Sequence, residues 1–292
     1  MNKAPAIPGI TWQSVSNHAQ LRDFLMMSDA ITPHNLGAVN ASGEMVAAGA
    51  IVFDFSLEHE NRAFLYGAVK PDYQKQGIGR YLVEWMEAQA RNVFSEALEN
   101  KPAVLRFDRF DENPDAVALY EKMGFSLSHS EIEMRRDLQN SLPQASLPGG
   151  FESMNWTPDN RTVFHEVYSA AFRERPGFPD WTLAQWEGAL IDAAAFRADL
   201  SLLIVGDGQG AGYVASHIDG ESGWIAQMGV HPVFQKQGLG ATLLAEVMQR
   251  YRDQNLRYAM LDVNVNNPAA QRLYERLGFE SVRQYSSYQK RI

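Results

Sequence analysis

Residues 235–240 read QKQGLG and residues 74–79 read QKQGIG, two hexapeptides that differ only by Leu239 against Ile78. Each is the centre of a longer match, VHPVFQKQGLG (230–240) against VKPDYQKQGIG (69–79), at an offset of 161 residues (235 against 74). A second pair follows in the same order: NPAAQRLYERLGF (267–279) against NPDAVALYEKMGF (113–125), at an offset of 154 (267 against 113). The two offsets differ by only seven residues. Chance similarity does not keep order and spacing so closely, so the chain is an internal duplication.

Its seam is the stretch DLQNSLPQASLPGG (137–150), polar and carrying two prolines and two glycines. Residues 141–150 therefore read as a linker between a first domain, 1–140, and a second, 151–292. Each half alternates strands and helices. In the second, 151–155 reads as a strand, 160–172 as a helix capped by Asn160, and 180–190 as another helix. GDGQG (206–210) divides an apolar, β-rich run into a hairpin. A strand at 224–230 then runs into the glycine turn, and the following helix carries Leu243, Leu244, Val247, Met248 and Tyr251 on one face. YAMLDV (258–263) returns as a strand. The first half repeats this plan but leaves little room for a second helix between a helix at 18–28 and a strand at 36–39. The fold class is mixed α/β (α+β).

A strand ending in a glycine turn that opens a helix presents the unbonded N–H groups of the first helical turn, with the positive end of the helix dipole behind them. A phosphate or pyrophosphate is the natural ligand of such a site. Gly77 and Gly238 let an anion approach the backbone, and Gly79 and Gly240 relieve crowding where the helix meets the strands. Neither turn has the spacing of a nucleotide-hydrolysing P-loop or of a dinucleotide-binding fold. In the second block, Asn113 and Asn267 precede Pro114 and Pro268, the pattern of a capped helix start, and Gly124 and Gly278 close the helix. Ala116, Leu119, Tyr120 and Met123 share one face of that helix, as do Ala270, Leu273, Tyr274 and Leu277 in the other copy. From periodicity alone, each tyrosine reads first as a packed aromatic.

Composition narrows the chemistry. Of 292 residues, 45% are hydrophobic and 21% charged, as in a soluble globular protein, and no run is long and apolar enough to span a membrane. A cytoplasmic location is expected. The chain has no cysteine, which removes disulfides, thiol nucleophiles and thiolate metal sites. Its seven histidines are scattered, so no metal site is expected. A formal charge of −9 without a basic block argues against nucleic-acid binding.

Q-x-x-G-x-G opening a helix, followed by N-x-x-A-x-x-L-Y-x-x-x-G-F, resembles the GNAT superfamily of acyl-CoA-dependent N-acetyltransferases, and the resemblance covers both halves. The tandem arrangement is similar to that of its mycothiol synthase branch, most clearly through FRERPGFPDWTLAQWEGAL (172–190), GWIAQMGVHPVFQKQGLG (223–240) and YSSYQK (285–290). The resemblance implies two GNAT-like domains, each a mixed, mostly antiparallel sheet flanked by helices, and acetyl-CoA as the acyl donor. Backbone amides of the second turn, 236–241 with Lys236, Gln237, Gly238, Gly240 and Ala241, would hold the pyrophosphate, and Gln235 belongs to the same cofactor site. In the first turn the amides of 75–80, with Lys75, Gln76, Gly77, Gly79 and Arg80, would do the same, beside Gln74. Met228 and Val230, or Val69 in the first half, would pair with the pantetheine arm, with Asn267 or Asn113 nearby.

Tyr274 and Tyr120 match the tyrosine that protonates the departing thiolate. A phenol of pKa about 10 remains protonated at neutral pH and can protonate a thiolate whose acid has a pKa of about 8.5. Many relatives carry a glutamate base on the strand before the glycine turn, but here those strands read WIAQMGV and FLYGAV, with no carboxylate. An alkylammonium of pKa about 10.4 costs about 4–5 kcal/mol to deprotonate at pH 7, so a base is needed. Gln227, Asp262 and Glu166 are the candidates, acting through water. Acceptor selection is expected from 172–190 and from Tyr285–Tyr288, with Phe172, Trp181 and Trp186 lining a pocket and Glu174, Asp180 and Glu187 meeting a cation. The second domain is expected to acetylate the primary amine of a small molecule by direct attack, in a monomer or homodimer. The alternatives are an acyl-CoA-binding regulatory or structural module in one or both halves, and acetylation of protein or peptide N-termini.

Overall fold

The structure is a computed structural model that describes residues 6–26, 32–55, 60–97, 101–110, 113–144, 146–174 and 180–292, with Arg109 and Phe110 as backbone only. The expected acceptor segment at 172–190 thus lies partly, at 175–179, outside the described residues. Along the first half run β1 (Thr11–Gln13), α1 (His18–Leu25), β2 (Asn35–Val39), β3 (Met45–Asp54), β4 (Asn61–Val69), α2 (Ile78–Ser95), β5 (Ala103–Phe110), α3 (Pro114–Lys122) and β6 (Ser126–Asp137). The second half contributes β7 (Phe151–Asn155), α4 (Arg161–Phe172), α5 (Leu183–Trp186), β8 (Leu202–Gly206), β9 (Gln209–Asp219), β10 (Ser222–Val230), α6 (Leu239–Asp253), β11 (Tyr258–Asn264), α7 (Pro268–Arg276) and β12 (Glu280–Arg291).

The chain forms two compact units: unit 1 is Met1–Ser130 with Tyr285–Ile292, and unit 2 is Glu131–Gln284. This differs from a contiguous division at 141–150. In unit 1, β1 to β4 pair antiparallel in sequence order, β4 pairs parallel with β5, and residues 285–291 of β12 lie antiparallel on β5 from Tyr285↔Phe110 to Arg291↔Val104. In unit 2, β7 to β10 pair antiparallel, β10 pairs parallel with β11, and residues 131–137 of β6 lie antiparallel on β11. Each unit is therefore the mixed, mostly antiparallel sheet that was expected, but its last strand comes from the end of the other repeat. Tyr285–Tyr288, expected to help select the acceptor in the second half, belong to unit 1. The reason is packing: Tyr288 is buried with Leu105, Phe107 and Tyr120 of unit 1.

Helices cover both faces of each sheet. In α2 the buried residues Ile78, Tyr81, Leu82, Trp85 and Met86 form an apolar stripe at helical spacing. Ile78, Leu82, Trp85 and Met86 build a core with β3, β4, β5 and Tyr120, while Leu21 of α1 packs with Val15, Met45 and Ala48 in a smaller cluster. In unit 2, Leu243, Leu244, Val247, Met248 and Tyr251 of α6 are buried, as their periodicity predicts. A second cluster around Phe164, Tyr168 and Trp186 is fed by α4 and α5. The β8–β9 hairpin turns at Asp207 (φ 50°) and Gly208 (φ 75°), two left-handed residues that match the twist of the strands.

Two local expectations change. Asn160 occupies the cap position of α4, yet its side chain turns back, accepting from the Thr157 N–H and donating to the Asn155 carbonyl, both at 2.9 Å. The helix expected at 180–190 is only one α-turn long, started by a Thr182–Gln185 capping box, and continues as a π-turn over Glu187–Ile191.

Candidate active site

The two glycine turns have the same conformation. Lys75 and Lys236 take φ of 60° and 64°, and Gly77 and Gly238, each the N-cap of the following helix, both take 85°. A Cβ on either glycine would meet nothing within 4 Å, so the space beside each glycine is open. Two left-handed residues so spaced in one turn are the kind of backbone that can gather amides around an anion. The glutamine side chains brace the turn from behind: Gln74 donates to the Val69 carbonyl (3.0 Å), Gln235 to the Val230 carbonyl (3.3 Å) and Gln76 to the Asp72 carbonyl (3.1 Å). The backbone N–H groups of Gln74 and Gln235 are also used, donating to the Pro71 (3.1 Å) and Pro232 (3.3 Å) carbonyls, so the amides open to an anion begin at Lys75 and Lys236. The Ala241 amide likewise already donates, to the Gly238 carbonyl at 3.0 Å. Arg80 is paired with Glu84 along α2, and Lys75 with Asp115.

Gly79 and Gly240 are needed for close packing. A Cβ there would lie 3.3 Å from Leu119 Cδ2 and Leu273 Cδ2 respectively, so each helix start is pressed onto the helix of the second block. That helix is capped by Asn113 or Asn267, whose Oδ1 accepts from the amide of Ala116 or Ala270 at 3.1 Å. The cap uses the oxygen only, leaving the Nδ2–H2 group as a donor.

In unit 1 these parts surround one cleft of about 480 Å³. The parallel pairing of β4 with β5 ends at Phe64↔Arg106, and Gly67, Ala68 and Val69 line the cleft beyond that point. Gln74, Lys75, Gly77, Gly79, Arg80, Asn113 and Tyr120 complete it; Gln76 is not in its wall. Tyr120 is buried, its ring stacked on Phe107 at 4.1 Å and 13°.

Unit 2 repeats the arrangement with differences. The β10–β11 pairing ends at Trp224↔Met260, and Val230 leads into the turn. Met228 reaches the helix start, its Cε 3.9 Å from where a Gly240 Cβ would stand. A bulge between Ile225 and Gln227 interrupts the β9–β10 register, whereas β3–β4 is continuous. Such a bulge bends and twists its strand next to the splay. Tyr274 is buried, edge-on to Phe279 at 5.9 Å.

The base candidates are placed as follows. Gln227 accepts at Oε1 from Trp186 Nε1–H (2.8 Å) and from the Tyr213 hydroxyl. An amide oxygen so occupied takes no further proton, which removes Gln227 as a base even through water. Glu166 is exposed on α4, and Asp262 is exposed on β11 opposite Glu133. Glu133, which sequence reasoning missed, is 6% exposed and bound by Arg283 through Nε (2.9 Å) and Nη2 (2.7 Å). It lies in the first repeat, and no local signal assigns it to unit 2.

Trp186, expected to line an acceptor pocket, is instead fully buried and holds Gln227. Trp181 and Phe172 are half-buried around Tyr168, while Glu187 pairs with Arg161 at 3.6 Å. Glu174 and Asp180 are exposed. Among the described residues no group of three or more acidic or histidine side chains would hold a metal, and no helix is long and apolar enough to cross a membrane.

Comparison with known proteins agrees with this geometry. Residues 161–279 match the Acetyltransferase (GNAT) family and residues 36–127 the Acetyltransferase (GNAT) domain. The Mycothiol acetyltransferase of Salinispora arenicola (strain CNS-205) is 30% identical over 232 residues, 76% of this chain and 71% of that one. The GCN5-related N-acetyltransferase from Sphaerobacter thermophilus superposes with a TM-score of 0.76 at 22% identity, over 94% of this chain and 84% of that one. A tandem GNAT protein from the clavulanic acid biosynthesis pathway does so at 0.66 and 15%, over 97% and 98%. The chain belongs to the GNAT acetyltransferase family, with two GNAT domains in tandem.

Proposed function

We propose that the protein is an acetyl-CoA-dependent N-acetyltransferase that acetylates the primary amine of a small molecule, with unit 2 catalytic and unit 1 a second acyl-CoA-binding domain. The observation that carries this reading is the repeated grouping of an open glycine turn, an asparagine-capped helix and a buried tyrosine beside two splayed parallel strands. The residues fit acetyl-CoA: the turn amides would hold its pyrophosphate, and the asparagine Nδ2–H2 group would face the pantetheine arm. Bound there, the thioester supplies the activated acyl group. Tyr274 keeps a phenolic proton for the leaving sulfur, and the amine attacks directly, without a covalent enzyme intermediate. Catalysis is assigned to unit 2 because only its strand before the turn is bulged, and because α4 and α5 wall its other face with aromatics. The mycothiol acetyltransferase relatives favour a small-molecule acceptor.

Titration of acetyl-CoA into the intact protein tests the proposal. The expected stoichiometry is two. Gly77→Trp, which fills the first turn, removes one equivalent and keeps turnover; Gly238→Trp removes the other together with turnover. The opposite assignment of turnover would move catalysis to unit 1, and absence of binding would sink the reading.

A further inference from the structure

We infer that Gln227 is a substrate-positioning residue of unit 2 whose Nε2–H2 group donates a hydrogen bond to an oxygen atom held where β10 and β11 part. This rests on the reading of unit 2 as an acyl-CoA site. Three observations carry it. First, the orientation of the amide is determined chemically. An indole N–H can only donate, so the atom 2.8 Å from Trp186 Nε1 is the amide oxygen. The Tyr213 hydroxyl donates to the same oxygen, and burial pushes the Tyr213 phenol well above 10, so it stays a donor. Flipping the amide would strand two donors on fully buried rings, at about 1–3 kcal/mol each.

Second, Nε2 has no acceptor among the described residues, although Gln227 is half-buried. Both lone pairs are used and both N–H groups are unspent. Third, its position is the splay itself: the residue follows the bulge and stands three places beyond Trp224, the last residue of β10 paired with β11. At the repeat-equivalent place unit 1 has Tyr66 (227 against 66, the offset of 161), whose phenol is held up by burial and by Asp108. The oriented amide is particular to unit 2.

Two N–H donors select an oxygen and reject an ammonium. That oxygen belongs either to the thioester carbonyl or to the acceptor molecule beside the amine, and the test separates these. Gln227→Glu keeps an oxygen for Trp186 and Tyr213 but replaces the donor with a second acceptor, so a merely structural Gln227 would tolerate it. Gln227→Met removes both functions. In a Gly77→Trp background, which silences unit 1, acetyl-CoA and CoA are titrated separately, and thermal unfolding checks the fold. If the carbonyl is the partner, acetyl-CoA binds about five- to tenfold more tightly than CoA, and both variants bring the ratio near one. If the acceptor is the partner, that ratio does not move. Instead kcat/KM for ethanolamine and glycinamide exceeds that for propylamine, and the variants erase the preference. Folded variants that leave both ratios unchanged overturn the inference, as does parent protein with neither preference, including no turnover of the three amines. Failure of acetyl-CoA to bind the Gly77→Trp protein at all would instead remove the acyl-CoA reading of unit 2.

Discussion

Tyr274→Phe lowers kcat by about 10²–10³ while the dissociation constant for acetyl-CoA stays within about twofold. The substitution removes one oxygen from a ring that is 8% exposed and seated against Phe279, so the core of unit 2 keeps its packing. The loss falls on the step in which sulfur leaves, since the turn amides proposed to hold the pyrophosphate lie on a different element. Tyr120→Phe is the internal control. Its ring also keeps its stack on Phe107, and turnover stays at the parent level if unit 1 only binds. Steady-state kinetics with a thiol reagent, beside calorimetric titration, measures both quantities. Unchanged turnover in Tyr274→Phe would take the residue out of the mechanism, and a large loss in Tyr120→Phe would transfer the role to unit 1.

Ending the chain at Gln284 unfolds unit 1, although the deletion lies more than 150 residues beyond the rest of that unit. Removing Tyr285–Ile292 strips β5 of seven register partners, from Tyr285 to Arg291. It also empties the place of Tyr288 in the core beside Tyr120; loss of a buried aromatic alone costs about 3–5 kcal/mol. The Ser130–Ser286 bond goes, as does the Lys290 ammonium that bonds Glu87 at 2.7 Å and the Met123 carbonyl at 2.9 Å. Burial works against the Glu87 carboxylate, but bonds from Lys290 and Arg91 hold its pKa below the usual value. A depressed carboxylate pKa stabilises the fold fully above the unfolded value, about 4.3, and less as pH falls through the folded value. The total is comparable to the whole stability of a domain, about 5–15 kcal/mol. Limited proteolysis read by mass spectrometry should find new cuts within residues 6–130. Acetyl-CoA stoichiometry should fall from two to one. A truncated chain with parental resistance and both equivalents would contradict the strand assignment.

Much of this was legible in one dimension. The repeated hexapeptide announced two helix starts, and Asn-Pro at 113 and 267 announced two capped helices; all four stand where the motifs place them. Asp207-Gly208 marked the hairpin because few residue pairs accept two positive φ values. The apolar face of α6 was readable because helical periodicity and burial coincide there. These are local decisions, made by backbone stereochemistry within a few residues. What surrounds Gln227 was not readable, because a hydrogen bond from Trp186, 41 residues away, leaves no trace in the spacing. Nor was the owner of the last strand. A duplicated chain carries two equivalent end strands and two sheets needing one, and β6 and β12 have the same length and similar character. Local pattern cannot choose between pairings that satisfy it equally. Register and side-chain fit in three dimensions make that choice, and they put Tyr288 into the core of unit 1 and Glu133 beside Arg283 in unit 2.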